Sequence, residues 1–114
     1  LNDRSIGLER AEVAWRSMIE EALEAGIKVV LLTPTPDLSE DILDENAPLA
    51  DHVRMIKKLG SQYQIPVVDA YSQFKALKKS GTDIATYMSQ GNHPNELGHQ
   101  VVLKAIVKEL FNEL

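Results

Sequence analysis

Apolar positions recur along this chain with more than one rhythm, and the alternation predicts helices interleaved with strands. Leu8, Ala11, Trp15, Met18, Ala22 and Ala25 follow the three-four spacing of one helical face, with Glu12 and Arg16 paired on another. Gly26 stands just past that helix, where a C-terminus favours glycine. The run IKVVLLT (27–33) is aliphatic without polar alternation, the pattern of a strand covered on both faces. Residues 34–47, PTPDLSEDILDENA, read as an acidic loop punctuated by prolines. A second helix starts at Pro48 and places Leu49, Val53, Ile56, Leu59 and Tyr63 on one side. IPVVDA (65–70) repeats the strand pattern. Short helices are predicted over about 71–79 and 83–89, separated by a turn at Ser80-Gly81. The final helix is predicted over about 95–113, with Glu96, Gln100, Lys104 and Lys108 as a narrow polar stripe. Leu97, Val101, Ala105, Ile106, Leu110 and Phe111 are expected to face inward.

Strand, helix, strand with covered faces implies a parallel pair joined by a right-handed crossover, an α/β architecture with helices on both sides of the sheet. The strand count is too small for that architecture to close. A two-stranded sheet is marginal alone, and VVLL reads as an inner strand with only one strand to pair with. Residues 1–114 are therefore expected to form the C-terminal part of one larger α/β domain, completed by its N-terminal half or by a homodimer partner. No repeat, low-complexity segment or internal linker interrupts the chain.

Composition narrows the function by exclusion. The 114 residues have room for one domain, burying about two-thirds of their unfolded surface. A net charge of −5, from 12 Lys and Arg against 17 Asp and Glu, argues against nucleic acid or an anionic membrane as partner. With no cysteine there is no disulfide framework, thiolate metal site or cysteine nucleophile. VVLL is far too short to span a membrane, and nothing at the N-terminus resembles a signal peptide, which leaves cytoplasmic and secreted settings both open.

Chain direction then places the polar groups. Ligands of open α/β sheets bind beyond the carboxyl ends of the strands. Thr33 and the 34–47 loop leave the first strand at that edge, and Asp69 leaves the second. Asn2 and His93 are expected to reach the same edge. In GNHPNELGHQ (91–100), Pro94 suits a helix start and holds His93 extended, while Asn92 or Asn95 can cap the free amides. That makes His93 a rigidly mounted general base, or a histidine that merely caps or packs. Gly98 is expected to allow close packing of the last helix on a neighbour. A zinc site built on His93 and His99 lacks a third ligand, so no metal or cofactor is expected.

The block HPNELGH (93–99) resembles the last conserved block of the SGNH, or GDSL, esterase and lipase family, and LND (1–3) is similar to the end of its G-x-N-D block. The resemblance spans the chain and implies a flavodoxin-like three-layer α/β/α hydrolase fold, here about two parallel strands and four to five helices. It implies that His93 is the general base for a serine nucleophile, that Asn2 donates its amide to the oxyanion, and that the substrate is a small-molecule ester. A neutral imidazole accepts a hydroxyl proton near pH 7, and a preoriented amide stabilises charge where it develops. Two features depart from the family. The G-D-S serine block and the glycine block are absent, and Ser5, Ser17, Ser39, Ser61, Ser72, Ser80 and Ser89 all lie outside G-D-S or G-x-S-x-G contexts. The acid three residues before the histidine is replaced by Gln90. Two expectations follow: the C-terminal half of a serine ester hydrolase, or a non-catalytic hydrolase-like domain used for binding or assembly.

Overall fold

A computed structural model of the chain describes residues 2–111 in backbone and 7–111 with their side chains. Its elements in order are α1 (Asn2–Glu24), β1 (Leu31–Leu32), α2 (Pro48–Tyr63), β2 (Val67–Val68), α3 (Ala70–Lys79), a 3₁₀ turn (Ile84–Tyr87), β3 (Met88–Gln90), β4 (His93–Pro94) and α4 (Glu96–Phe111). Helix α1 ends as its glycine requires. Gly26 takes φ 77°, its amide donates to the Leu23 carbonyl at 3.0 Å, and the Ile27 amide reaches back to Ala22 at 2.9 Å. Helix α2 has Pro48 in its first turn and ends on Gln64 in the left-handed region, φ 56°.

Strands β1 and β2 pair in parallel, Leu31 opposite Val67 and Leu32 opposite Val68. Beneath them, Ile19 of α1 and Met55, Ile56 and Leu59 of α2 pack with Leu31 and Ile65 into one core cluster. A second cluster joins Ile42 of the long loop, Val53, Tyr71, Phe74, Ile84 and Met88, with Val101 and Val102 of α4 against it. Helix α4 lies against β2 and α3.

Three expectations need correction. The 27–33 run is covered on one face only: Val68 is 1% exposed, but its neighbour across the ladder, Leu32, is 44% exposed, and Val30 is 45% exposed. The strand also shrinks to two residues, since among the described residues only β2 pairs with it. The helix expected over 83–89 is a 3₁₀ turn followed by β3, which pairs antiparallel with β4. Finally, Leu97, Leu110 and Phe111 of α4 are exposed, while Gly98 and Ala105 make its buried line. The described residues form a slab of 45 × 42 × 20 Å. Their radius of gyration is 14.9 Å, against about 13 Å for a closed domain of similar length.

Candidate active site

The carboxyl ends of β1 and β2 are tied by a buried hydroxyl. Thr33 follows β1, is fully buried, and its Oγ1 donates to Asp69 Oδ1 at 3.2 Å while accepting the Tyr71 amide at 3.0 Å. Asp69 caps α3: its carboxylate accepts the Ser72 amide at 3.0 Å and the Ser72 hydroxyl at 2.6 Å, and it pairs with Lys57 Nζ of α2 at 2.7 Å. Burial disfavours the Asp69 charge, but the Lys57 ammonium and the Ser72 bonds outweigh it and hold the carboxyl below its ordinary range. The expected placement of Thr33 and Asp69 at one edge is thus what the structure has.

The 34–47 loop starts at this edge and is ordered by its own acids. Asp37, Asp41 and Asp44 each accept the amide two residues on, from Ser39 at 2.9 Å, Leu43 at 3.0 Å and Asn46 at 2.9 Å. Glu40 Oε1 accepts the Leu49 amide at 3.1 Å in the first turn of α2. Pro36 and Ile42 are buried and anchor the loop, the latter against Tyr71 and Phe74. Burial, then the charges of Glu40, Asp41 and Asp44, raise the Tyr71 phenol above its usual range. At the far side the Leu38 amide donates to the Gly91 carbonyl at 2.7 Å, which joins the loop to the His93 segment.

That segment is a tight hairpin. Gln90 and His93 face each other across the two residues Gly91-Asn92, and Ser89 Oγ donates to the His93 carbonyl at 3.1 Å. Pro94 is in β4, not in the first helical turn as the sequence suggested; Asn95 is the cap. Its amide donates to Tyr87 O at 2.9 Å, its Nδ2 to Thr86 O at 2.8 Å, and its Oδ1 accepts the Gly98 amide at 3.1 Å. Gly98 packs so closely that a Cβ there would overlap the Tyr87 carbonyl oxygen, and backbone cannot yield as a side chain does. His93 is left exposed at the rim, its backbone fixed on both sides. Among the described residues, no group hydrogen-bonds its imidazole.

The structure brings Gln90 and His93 together, and the loop beside them; the Asn2 side chain lies outside the described residues. His99 is exposed in the first turns of α4, and among the described residues no three His, Asp or Glu gather as a metal site. Sequence reasoning missed the hairpin, although Gly-Asn between two short runs is a recognised two-residue turn signal. It also missed Lys57, whose place opposite Asp69 depends on helix packing that no local pattern encodes.

A model of the GDSL-like lipase/acylhydrolase family matches residues 1–101, a span that includes both LND and HPNELGH up to and beyond His99. The chain belongs to this family. Solved structures of an acetylxylan esterase and of a lipolytic G-D-S-L family protein share its fold. A catalytic mutant of the acetylxylan esterase Axe2 from Geobacillus stearothermophilus superposes with a TM-score of 0.76 at 21% identity, covering 91% of this chain and 47% of that one. A lipolytic G-D-S-L protein from Veillonella parvula DSM 2008 gives 0.61 at 19% identity, covering 88% and 53%. The chain therefore spans about half the length of these two proteins. No curated protein matches it. No helix among the described residues is long and apolar enough to cross a membrane.

Proposed function

We propose that the chain is the C-terminal half of a serine ester hydrolase domain whose nucleophilic serine lies on sequence outside these 114 residues. His93 is the general base, Asn2 an oxyanion donor, and Gln90 occupies the place of the acid that would orient the imidazole. The observation that carries the reading is the mount of His93. It is exposed at the rim, held by the hairpin on one side and the Asn95 cap on the other, inside the block that the family model matches. A rigid base with an accessible ring nitrogen is what proton abstraction needs.

In the reaction, His93 takes the serine proton as the serine oxygen attacks the ester carbonyl. The tetrahedral oxyanion forms against the Asn2 amide, and collapses as His93 returns the proton to the leaving alcohol. Water then repeats the sequence on the acyl-enzyme and frees the acid. The Axe2 likeness makes acetyl esters the first substrate class to examine. Gln90 favours a second reading, a non-catalytic domain that keeps the hydrolase fold for binding or assembly, because a glutamine supplies no charge to balance an imidazolium.

The test is p-nitrophenyl acetate hydrolysis by the product of the reading frame extended upstream of Leu1. His93→Ala is expected to lower turnover by about 10³-fold or more with unchanged circular dichroism. Turnover equal to the parent removes the base assignment. A folded parent without any turnover supports the binding reading.

A further inference from the structure

Helices α3 and α4 touch but do not close fully on each other. Leu97, Gln100, Val101 and Lys104 recur at three-four spacing along one face of α4, and Gln73, Ala76 and Leu77 do so along α3. Between these faces, with Tyr87 of the 3₁₀ turn at one wall, lies a cavity of 360 Å³. Ala76 gives its lining no more than a methyl group. Leu77, Tyr87 and Val101 form the floor, half-buried because they pack on the cluster of Phe74, Ile84 and Met88. Leu97 stands beside them, 49% exposed. The two ends of the cavity differ in character. Gln73 also lines a neighbouring 260 Å³ cavity with Ala105 and Lys108, which places it towards the end of α4 that carries Lys104. Tyr87 abuts Gly98, at the other end, near Leu97. Lys104 is the one charged side chain in the lining. Among the described residues, the side chains of Lys104, Gln73 and Gln100 have no hydrogen bond or ion pair.

We propose that this cavity binds a single-chain amphiphilic carboxylate, with its alkyl tail on Leu77, Val101 and Leu97 and its head at Lys104. The volume is at the small end of the range of about 300–1,000 Å³ for small-molecule pockets, which suits one chain and not two. Charge chooses the head. The lining offers one ammonium and no carboxylate in a protein of net charge −5, so it attracts an anion and gives a cation nothing to pair with. Lys104 supplies a charge-assisted bond to a carboxylate oxygen, and the Gln73 and Gln100 amides are further N–H donors at that end. The apolar floor takes the tail out of water, which is the main source of affinity for an unbranched chain. No lining side chain belongs to the His93 hairpin or to the Thr33–Asp69 edge, so this is a second site and stands without the hydrolase reading.

The test is titration of the 114-residue chain, and of the product of the frame extended upstream of Leu1, with decanoate below its micelle-forming concentration. Amide NMR is expected to show saturable shifts confined to Ala76, Leu77, Tyr87, Val101 and Lys104. Octanoate, two methylenes shorter, is expected to bind about tenfold more weakly. Decan-1-ol, and decanoate with Lys104→Gln, are each expected to lose about tenfold through the missing charge. Ala76→Leu fills the cavity at an exposed position where leucine is nearly as good a helix former as alanine. It is expected to abolish the shifts with circular dichroism unchanged. Shifts that do not saturate, or that spread over the whole surface, overturn the proposal. So does equal binding of decanoate and decyltrimethylammonium, or binding that survives Ala76→Leu. Binding to the 114-residue chain that is lost in the extended protein overturns it as well, because another segment then fills the cavity. None of these readouts depends on esterase activity, so the site and the catalytic reading fail separately.

Discussion

The acid of a serine–histidine–acid system fixes the imidazole tautomer and balances the imidazolium that forms. Gln90 can do the first and not the second. It faces His93 across the hairpin, and its amide oxygen is an acceptor for an imidazole N–H, but it carries no charge. Neutralising the acid of the trypsin-type triad costs about 10⁴ in turnover, which sets the scale for a gain. In the upstream-extended protein, Gln90→Asp is therefore expected to raise kcat on p-nitrophenyl acetate by at least about tenfold, with KM little changed. An unchanged or lower kcat means that another group orients His93. The nearest acidic segment is the 34–47 loop, joined to Gly91 by the Leu38 amide. His93-Pro94 was legible in the sequence because proline restricts its neighbour locally. The facing of Gln90 and His93 was not, because it arises from a hairpin turn rather than from residue type.

At the scale of elements, the cap of α3 is the joint that holds the site edge together. Asp69 takes bonds from Thr33, Ser72 and Lys57, so β1, α2 and α3 meet on one carboxylate. Its folded-state pKa is depressed, so its contribution is present above the unfolded value of about 3.9 and is lost as pH falls through the folded value. Asp69→Asn keeps a capping side chain and removes the ion pair with half-exposed Lys57, a loss of about 0.5–1 kcal/mol after solvent screening. Thermal melts from pH 7 to pH 3 are expected to show the variant a few degrees less stable at neutral pH, with the gap closing below about pH 4. A gap that stays constant with pH assigns the loss to packing instead. The helices α1, α2 and α3 were readable because their apolar spacing is local, and so was the parallel pair. The helix expected over 83–89 gives way to a 3₁₀ turn and β3, because β3 pairs with β4, a contact that local spacing does not encode. The exposed Leu97, Leu110 and Phe111 show the other limit: amphipathic spacing gives the apolar side of a helix, not what covers it.

At the scale of the whole molecule the described residues form a slab of 45 × 42 × 20 Å, and their serines bear on what that slab can do alone. Ser39, Ser72, Ser80 and Ser89 direct their hydroxyls to Asp37, Asp69, the Leu77 carbonyl and the His93 carbonyl. Ser17 and Ser61 are exposed on helices α1 and α2. Ser89 is beside His93 in the hairpin, yet it bonds the backbone of that residue and not its ring. A serine becomes nucleophilic only when a base accepts its proton and donors receive the developing oxyanion, and among the described residues no serine has the imidazole as acceptor. A fluorophosphonate probe is therefore expected to leave the 114-residue chain unlabelled and to modify one serine upstream of Leu1 in the extended protein. Peptide mapping by mass spectrometry reads the site directly. Stoichiometric labelling at Ser89 would place nucleophile and base on the same hairpin and return the active centre to this chain. Labelling of neither protein, with both folded, favours the binding domain over the hydrolase.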